Sequence, residues 1–532
     1  MTPPSAGHVP RPPHRRRRAV ATAILALPCL SAAACVFTTV GVRDVKPASA
    51  AEPVQVRSPV KAHLLDGTTV VYPNGLIVRD GRLQGAGTRY AIGAAAGRPA
   101  GAIVLDSVAA MESYQTETLV APTTLGTIGA LAIGAVAVAG LAVAAFGSCP
   151  TIYADSAGVH VLEAEGFSYS IAPLFERRDV DRLRAAADAE GVVRLEVRNE
   201  ALETHYLNHF ELLEVRHAAG EHVAPDGDGL PLVLAGLRPA ARVVDRAGRD
   251  VSAALREADG VPFATAPATL AAARADDLED HLEFAVAAPA GADSVAVLLR
   301  LRNSLLNTVL LYDEILGASG ARSLDWLSRD LGRIGDAVEM ARWYGRSMGL
   351  RVAVRDGDAW RPVRHVGDAG PIAFHDVAIV VPVVRAGDSV RVRLSFTADN
   401  WRIDRLAVAT SHRTAPVRTL APTSVVNAEE RADTAALASV REPDESYLST
   451  TPGQRFTLRF DAGRLAPGTA RTFLLASQGY YVEWVRGAWL ASATRTTPFV
   501  PSDDALHAAL RRWRDVQPDF ERRFYASKIP VR

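Results

Sequence analysis

Three stretches of this chain alternate apolar and polar residues with a period of two: VRLEVRN (193–199), SVRVRLSF (389–396) and RFTLRF (455–460). Successive side chains of a strand point to opposite faces, so each stretch predicts a strand with one buried and one wet face. Asp-Gly pairs at 226–227, 228–229 and 356–357 supply turns between such runs. The βαβ rhythm of a parallel sheet is missing, so the pattern predicts antiparallel β-sandwich over residues 149–303 and a second β region over 351–480. Between them the period changes. In SLDWLSRDLGRIGDAVEMARWYG, Leu324, Leu327, Leu331, Ile334 and Val338 fall at three- and four-residue spacing, an amphipathic helix. LLNTVLLYDEIL before it reads as its partner, which makes 304–350 a helical insertion. A last helix is predicted within the 481–532 tail, at SDDALHAALRRWRDVQ. Ser502 is its N-cap, acids fill the first turn, and Leu506, Leu510 and Trp513 share one face.

Upstream, residues 61–117 carry Asp66-Gly67, Asn74-Gly75 and Asp80-Gly81 beside apolar or β-branched runs. Tight turns of that kind predict short strands in a small β barrel or sheet. The following segment is different. Leu125 to Phe146 is apolar or glycine apart from Thr127. As a helix it is about 33 Å long, enough for a hydrocarbon core of roughly 30 Å. Residues 118–148 therefore read as a hydrophobic, membrane-crossing helix, against the alternative of a buried Ala/Gly-rich helix. Gly126, Ala130 and Gly134 recur every four residues, the small-residue spacing that lets helices pack closely in a homo-oligomer. The whole is mainly β, with a helical insertion, a small N-terminal β unit and one hydrophobic Gly/Ala-rich helix.

Charge and cysteine placement add an address. RRRRAVATAILALPCLSAAAC has the basic start, short apolar middle and small-residue end of an export signal over residues 1–34. Its ending resembles a lipobox, with Cys35 as the lipidated residue, although Ala32 stands where a leucine-like residue is usual. Residues 35–60, rich in Pro and Ala, read as a tether. The five arginines of the signal are offset by no acid there. Without them 54 basic residues face 59 acidic ones, a net charge of −5. Such a chain lacks the phosphate-neutralising patch that nucleic-acid binding requires. The cysteines are Cys29, Cys35 and Cys149, so a disulfide framework is excluded.

Chemical motifs are few. Gly345-Arg346-Ser347-Met348-Gly349 matches G-x-S-x-G, but that hydrolase elbow needs a strand before it and a helix after it. Here a helix precedes and LRVAV follows, so the motif reads as a helix-to-strand turn. His205 and His209, flanked by Glu203 and Glu211, read as polar positions at the start of FELLEVRH rather than as metal ligands. Asp226 and Asp228 lack the later ligands of a calcium loop and read as a turn. No metal or cofactor is implied. The aromatic groups Trp401 with Arg402, and Tyr480, Tyr481, Trp484 and Trp489, are the candidate binding residues, because rings on a sandwich edge stack on sugars or anchor a protein partner. Packing in the core is the default alternative.

At GSCPTIY, NWRIDRLAVA and GYYVEWVRGAWL the chain resembles an uncharacterised group of predicted bacterial lipoproteins that place a Gly/Ala-rich segment before Ser-Cys-Pro. The resemblance implies an envelope address and no chemistry. The lysine-poor β composition fits a large C-terminal region outside the cytoplasm, against a return to the cytoplasm if residues 118–148 cross once. The expectation is a non-enzymatic, membrane-anchored lipoprotein whose sandwiches bind a protein or glycan. The alternatives are an envelope hydrolase acting on carbohydrate or peptide, and a membrane-assembly component oligomerising through its Gly/Ala helix.

Overall fold

The computed structural model describes residues 40–41, 53–56, 60–64, 68–72, 74–90, 98–114, 149–156, 159–171, 175–322, 334–384, 389–444, 446–466, 468–483, 499–526 and 528–531. Strand accounts for 48% of the described residues and helix for 18%, so they are mainly β. The strands form several antiparallel sheets and no closed barrel. Among the described residues no helix is long and apolar enough to cross a membrane. The predicted crossing, residues 118–148 with Gly126, Ala130 and Gly134, lies outside the described residues, as do the signal segment and Cys35.

The N-terminal unit consists of two open sheets of six and four strands around its own core of Val60, Val70, Tyr72, Val78, Leu83 and Ile103. This corrects the barrel alternative. Asp80-Gly81 closes a hairpin between Leu76–Arg79 and Arg82–Gln84, both turn residues at positive φ. Asn74-Gly75 does something else: the chain there leaves the larger sheet at Thr69–Tyr72 and enters the smaller one at Leu76–Arg79. Residues 40–41 and 54–56, inside the expected tether, pair with Val108–Tyr114 and Leu76–Arg79 and so belong to these sheets.

From Cys149 onward the two β regions are nested, not serial. The first sandwich joins early strands to late ones. Val192–Arg198 pairs with Arg455–Asp461, and Glu203–His217 pairs along its length with Ala470–Glu483. Between the two sheets lie Leu195, Val197, Phe210, Leu212, Phe456 and Phe473, the inward positions of the period-two pattern. The second sandwich is inserted between these halves. One sheet contains Trp401–Ala409, Ser294–Asn303 and His375–Pro382; the other contains Glu279–Ala287, Ser389–Thr397, Leu350–Asp356 and Ala359–Val366. Leu282, Phe284, Leu299, Val392, Leu394 and Ile403 fill the space between them.

A three-stranded sheet of His222–Pro225, Pro231–Ala235 and Ser411–Thr414 carries the chain out to the inserted sandwich and back. Its alternation serves both neighbours. Val223 and Val233 pack on Leu213, Val215 and Leu474 of the first sandwich. Ala224, Leu232 and Leu234 pack on Leu298, Ala378 and Ala407 of the second. Burying both faces of one small sheet fixes the two sandwiches against each other.

Helical segments cover the seam. Leu306–Val309, Leu310–Leu316 and Gly317–Arg322 run on from one another as α, π and 3₁₀ turns, followed by the helices Ile334–Met348 and Asp503–Ala526. They share a core with Leu306, Ile315, Trp343, Leu510 and Trp513. The Ser502 hydroxyl accepts from Ala505 N–H at 3.3 Å, the cap its position predicts. The insertion departs from its predicted stripe. Leu324, Leu327 and Leu331 lie outside the described residues, and Val338 is 40% exposed, because the face that packs is Met340, Trp343 and Met348.

Gly345 to Gly349 is the helix-to-strand turn expected, ending Ile334–Met348 and leading into Leu350–Asp356. A Cβ at Gly349 would lie 2.5 Å from the Gly345 carbonyl oxygen and 2.0 Å from His365 Nε2. The imidazole can swing away, but the carbonyl, which accepts from Gly349 N–H at 2.9 Å, cannot. Gly349→Ala is therefore expected to cost about 2 kcal/mol, read as a lower urea midpoint at unchanged slope. A wild-type midpoint would show that the turn relaxes freely.

Candidate functional site

A cleft of about 800 Å³ opens where both sandwiches, the bridging sheet and the helical layer meet. One wall is the edge strand Arg177–Arg182, RRDVDR, paired with Ala470–Glu483. Asp179 is held by two backbone donors, Phe167 N–H at 2.9 Å and Val180 N–H at 3.0 Å. Two residues on, Asp181 bonds His375 Nδ1 across the seam, from the first sandwich to the second. Beside it Asp376 takes three partners: His222 Nε2 at 3.0 Å, Arg300 at 3.2 Å and Arg182 at 3.6 Å. Each comes from a different sheet, so the seam is stitched by charge as well as by apolar packing.

The opposite wall is the loop 367–373. Glu165, fully buried, accepts from Ile372 N–H at 2.7 Å and Ala373 N–H at 3.0 Å. Gly370 has φ +73° and lies against that carboxylate, where a Cβ would stand 2.5 Å from the carboxyl carbon. Asn303 Oδ1 accepts from Ala369 N–H at 2.7 Å, and Arg302 donates to the Pro371 carbonyl at 2.7 Å. So fixed, the loop presents Asp368, which accepts from the Tyr344 hydroxyl at 3.1 Å. The Asp226–Gly229 turn closes one end. Asp226 Oδ1 accepts from Asp228 N–H and Leu230 N–H, both at 2.9 Å, the turn role its sequence predicts. Tyr169 and Tyr481 contribute rings, with the Arg177 guanidinium 3.2 Å above the centre of Tyr169.

The protonation states follow from this crowding. Burial, then the neighbouring Asp181 charge, pushes Asp179 up to about 7. Burial works against a charged His375, but the Asp181 carboxylate, with Asp179 and Glu165, outweighs it and raises the imidazole to about 9. For Asp376 the burial penalty is overcome by His222, Arg182 and Arg300, which bring it down to about 2. Burial raises Asp368. His375 is thus an imidazolium at neutral pH. Its Nε2 is buried without a hydrogen-bond partner, on a side chain 10% exposed that lines the cleft.

Of the aromatic candidates, only Tyr481 lines the cleft. Its hydroxyl donates to the Ser168 carbonyl at 2.9 Å. Trp401 is fully buried inside the second sandwich, and Arg402 is 4% exposed and paired with Asp399, so both are structural and neither is a surface binding group. Tyr480 stacks on Tyr206, ring centres 4.7 Å apart. Trp484 and Trp489 lie outside the described residues. His205 and His209 are separated by a bulge at Asn208. His205 lies opposite Tyr481, while His209 lies opposite Gln478, on the face shared by Tyr206 and Tyr480. Burial lowers His205 to about 3, so it is a neutral core side chain. Among the described residues no group of three or more His, Cys, Asp or Glu is placed to hold a metal ion. A second depression, of about 510 Å³, is lined by the chain's own end: Lys528 pairs with Glu200 at 2.7 Å, and Ile529 N–H donates to the Glu200 carbonyl at 2.8 Å.

The cleft residues Asp179, Asp181, Asp368 and His375 have no local motif. Alternating acids in RRDVDR are their one sequence trace. No known family profile matches the chain. The curated proteins likewise give no match. Among solved structures, a GH31 alpha-xylosidase from Xanthomonas citri is similar over 83% of this chain and 38% of that chain, at 9% identity and a TM-score of 0.14. Likeness at that level supports no argument about fold or activity.

Proposed function

We propose that the protein is a non-enzymatic binding module of the bacterial cell envelope, exported by its N-terminal segment, lipid-anchored at Cys35, and built to hold a glycan in the cleft between its sandwiches. The observation that carries this reading is the cleft itself. About 800 Å³ suits a short oligosaccharide, and its walls combine tyrosine rings, carboxylate acceptors and guanidinium donors. Sugars need that mixture, since each pyranose offers an apolar face for a ring and hydroxyls that both donate and accept.

A hydrolase is the second reading, favoured by Asp179, whose carboxyl is raised to about 7, a value suited to an acid catalyst. Against it, backbone N–H groups of Phe167 and Val180 occupy one site on each Asp179 oxygen, a structural commitment. Titration calorimetry of the full chain in detergent against neutral oligosaccharides separates the readings. Binding without release of reducing ends is expected, and about tenfold weaker binding by Tyr169→Ala, which frees the Arg177 guanidinium from its place on the cleft wall. Undiminished binding by that variant, or no binding by any sugar, would count against it; release of reducing ends would favour the hydrolase.

A further inference from the structure

We infer that the cleft selects an amino sugar: a saccharide that brings an ammonium group to its unpaired carboxylates and a hydroxyl oxygen to the orphaned nitrogen of His375. The inference rests on the glycan reading above and narrows it. Its first support is the balance of charge. Six acids line the cleft, and Asp376 is consumed by two arginines and the His222 hydrogen bond. The other five, Glu176, Asp179, Asp226, Asp228 and Asp368, form no ion pair among the described residues. Two arginines line it as well. Arg178 is paired with Glu211 at 2.8 Å, leaving Arg177 alone over Tyr169. At slightly acid pH Asp179, raised to about 7, carries little charge. The four remaining carboxyl groups face the Arg177 guanidinium and a His375 imidazolium already paired with Asp181. The cleft therefore favours positive charge and repels uronic or phosphorylated sugars.

The second support is independent of that count. His375 Nδ1 is committed to Asp181, and Nε2 is buried with nothing to bond. A buried polar atom left unpaired is costly, and in a cleft wall the cost is removed when a ligand supplies the partner. A cation cannot be that partner, because the imidazolium is itself positive. An uncharged hydroxyl oxygen can, accepting from Nε2–H while its own proton goes to a neighbouring carboxylate. A polyamine or a lysine side chain satisfies the carboxylates and leaves the imidazole bare; a neutral sugar does the reverse. An amino sugar meets both demands in one ring.

The test is calorimetry of the full chain at slightly acid pH and fixed salt, with four probes: a glucosamine tetramer, cellotetraose, a galacturonic acid tetramer and spermine. Glucosamine tetramer is expected to bind at least tenfold tighter than cellotetraose, the value of about one charge-assisted hydrogen bond. It should also bind tighter than spermine, and the uronic acid should show no heat. Glu176→Gln and Asp368→Asn, which keep shape and remove charge, should each cut glucosamine binding about tenfold and cellotetraose binding by clearly less. Equal affinity for glucosamine and cellotetraose overturns the inference while the glycan reading stands. Spermine binding as tightly as the amino sugar overturns it too, since the hydroxyl then plays no part. Binding by none of the saccharides overturns the reading underneath.

Discussion

Asp399→Ala is expected to lower the unfolding free energy by about 4 kcal/mol, the largest effect of any single substitution considered for this chain. Asp399 sits 1% exposed at the turn between the two sheets of the inserted sandwich. Its carboxylate takes Arg402 at 2.7 and 3.2 Å, the Trp513 indole N–H at 2.7 Å and Gln517 at 3.2 Å. One buried charge therefore ties the sandwich to the C-terminal helix. Without it the Arg402 guanidinium, 5% exposed, keeps Glu521 at 3.5 Å as its remaining carboxylate, and the Trp513 N–H is orphaned. Breaking one side of a buried pair costs about 3–5 kcal/mol because the other charge stays buried. Asp399 also has φ +59°, a conformation alanine tolerates poorly. Asp399→Asn separates the causes: it suits the left-handed backbone and keeps an acceptor, so the loss it shows is the charge. Urea unfolding of both variants, followed by tryptophan fluorescence, checks the prediction. A shift below about 1 kcal/mol for Asp399→Ala would show that the carboxylate is already matched by solvent.

Stability is also expected to fall on the alkaline side of neutrality, through His375. Its folded value of about 9 lies above the ordinary 6.5. The native state therefore holds a proton that the unfolded chain releases across that interval. Its contribution is complete below about 6.5 and is lost as pH rises through about 9, on the order of 3 kcal/mol. Asp376 acts at the other end: brought down to about 2 from an ordinary 3.8, it stabilises above about 4, and that contribution is lost as pH falls through 2. Thermal melts across the alkaline window should slope downward in the wild type and flatten in His375→Gln. The same alkaline slope in the variant would place the responsible proton elsewhere.

What could be read from the sequence was whatever depends on near neighbours. Period-two alternation marked Val192–Arg198, Ser389–Thr397 and Arg455–Asp461 because each strand carries its own two faces. Ser502 announced the last helix because a cap acts within one turn. Nesting was hidden, since Arg198 pairs with Arg455 across the whole inserted sandwich and nothing local records the partner. Trp401 and Arg402 looked like a binding pair because a buried ring and an exposed one are spelled alike. The cleft was the least legible part. Its decisive bond joins Asp181 to His375, 194 residues apart, and the sheet that brings them together is itself specified by burial on both faces.

The central claim, that the seam between the sandwiches is the ligand site, is tested most directly by a crystal structure of the full chain grown with a saturating glucosamine tetramer. Saccharide density is expected in the cleft, with an amine toward Glu176 or Asp368 and a hydroxyl oxygen within hydrogen-bond distance of His375 Nε2. Sugar bound elsewhere on the sandwiches, with the cleft empty at the same concentration, would contradict it.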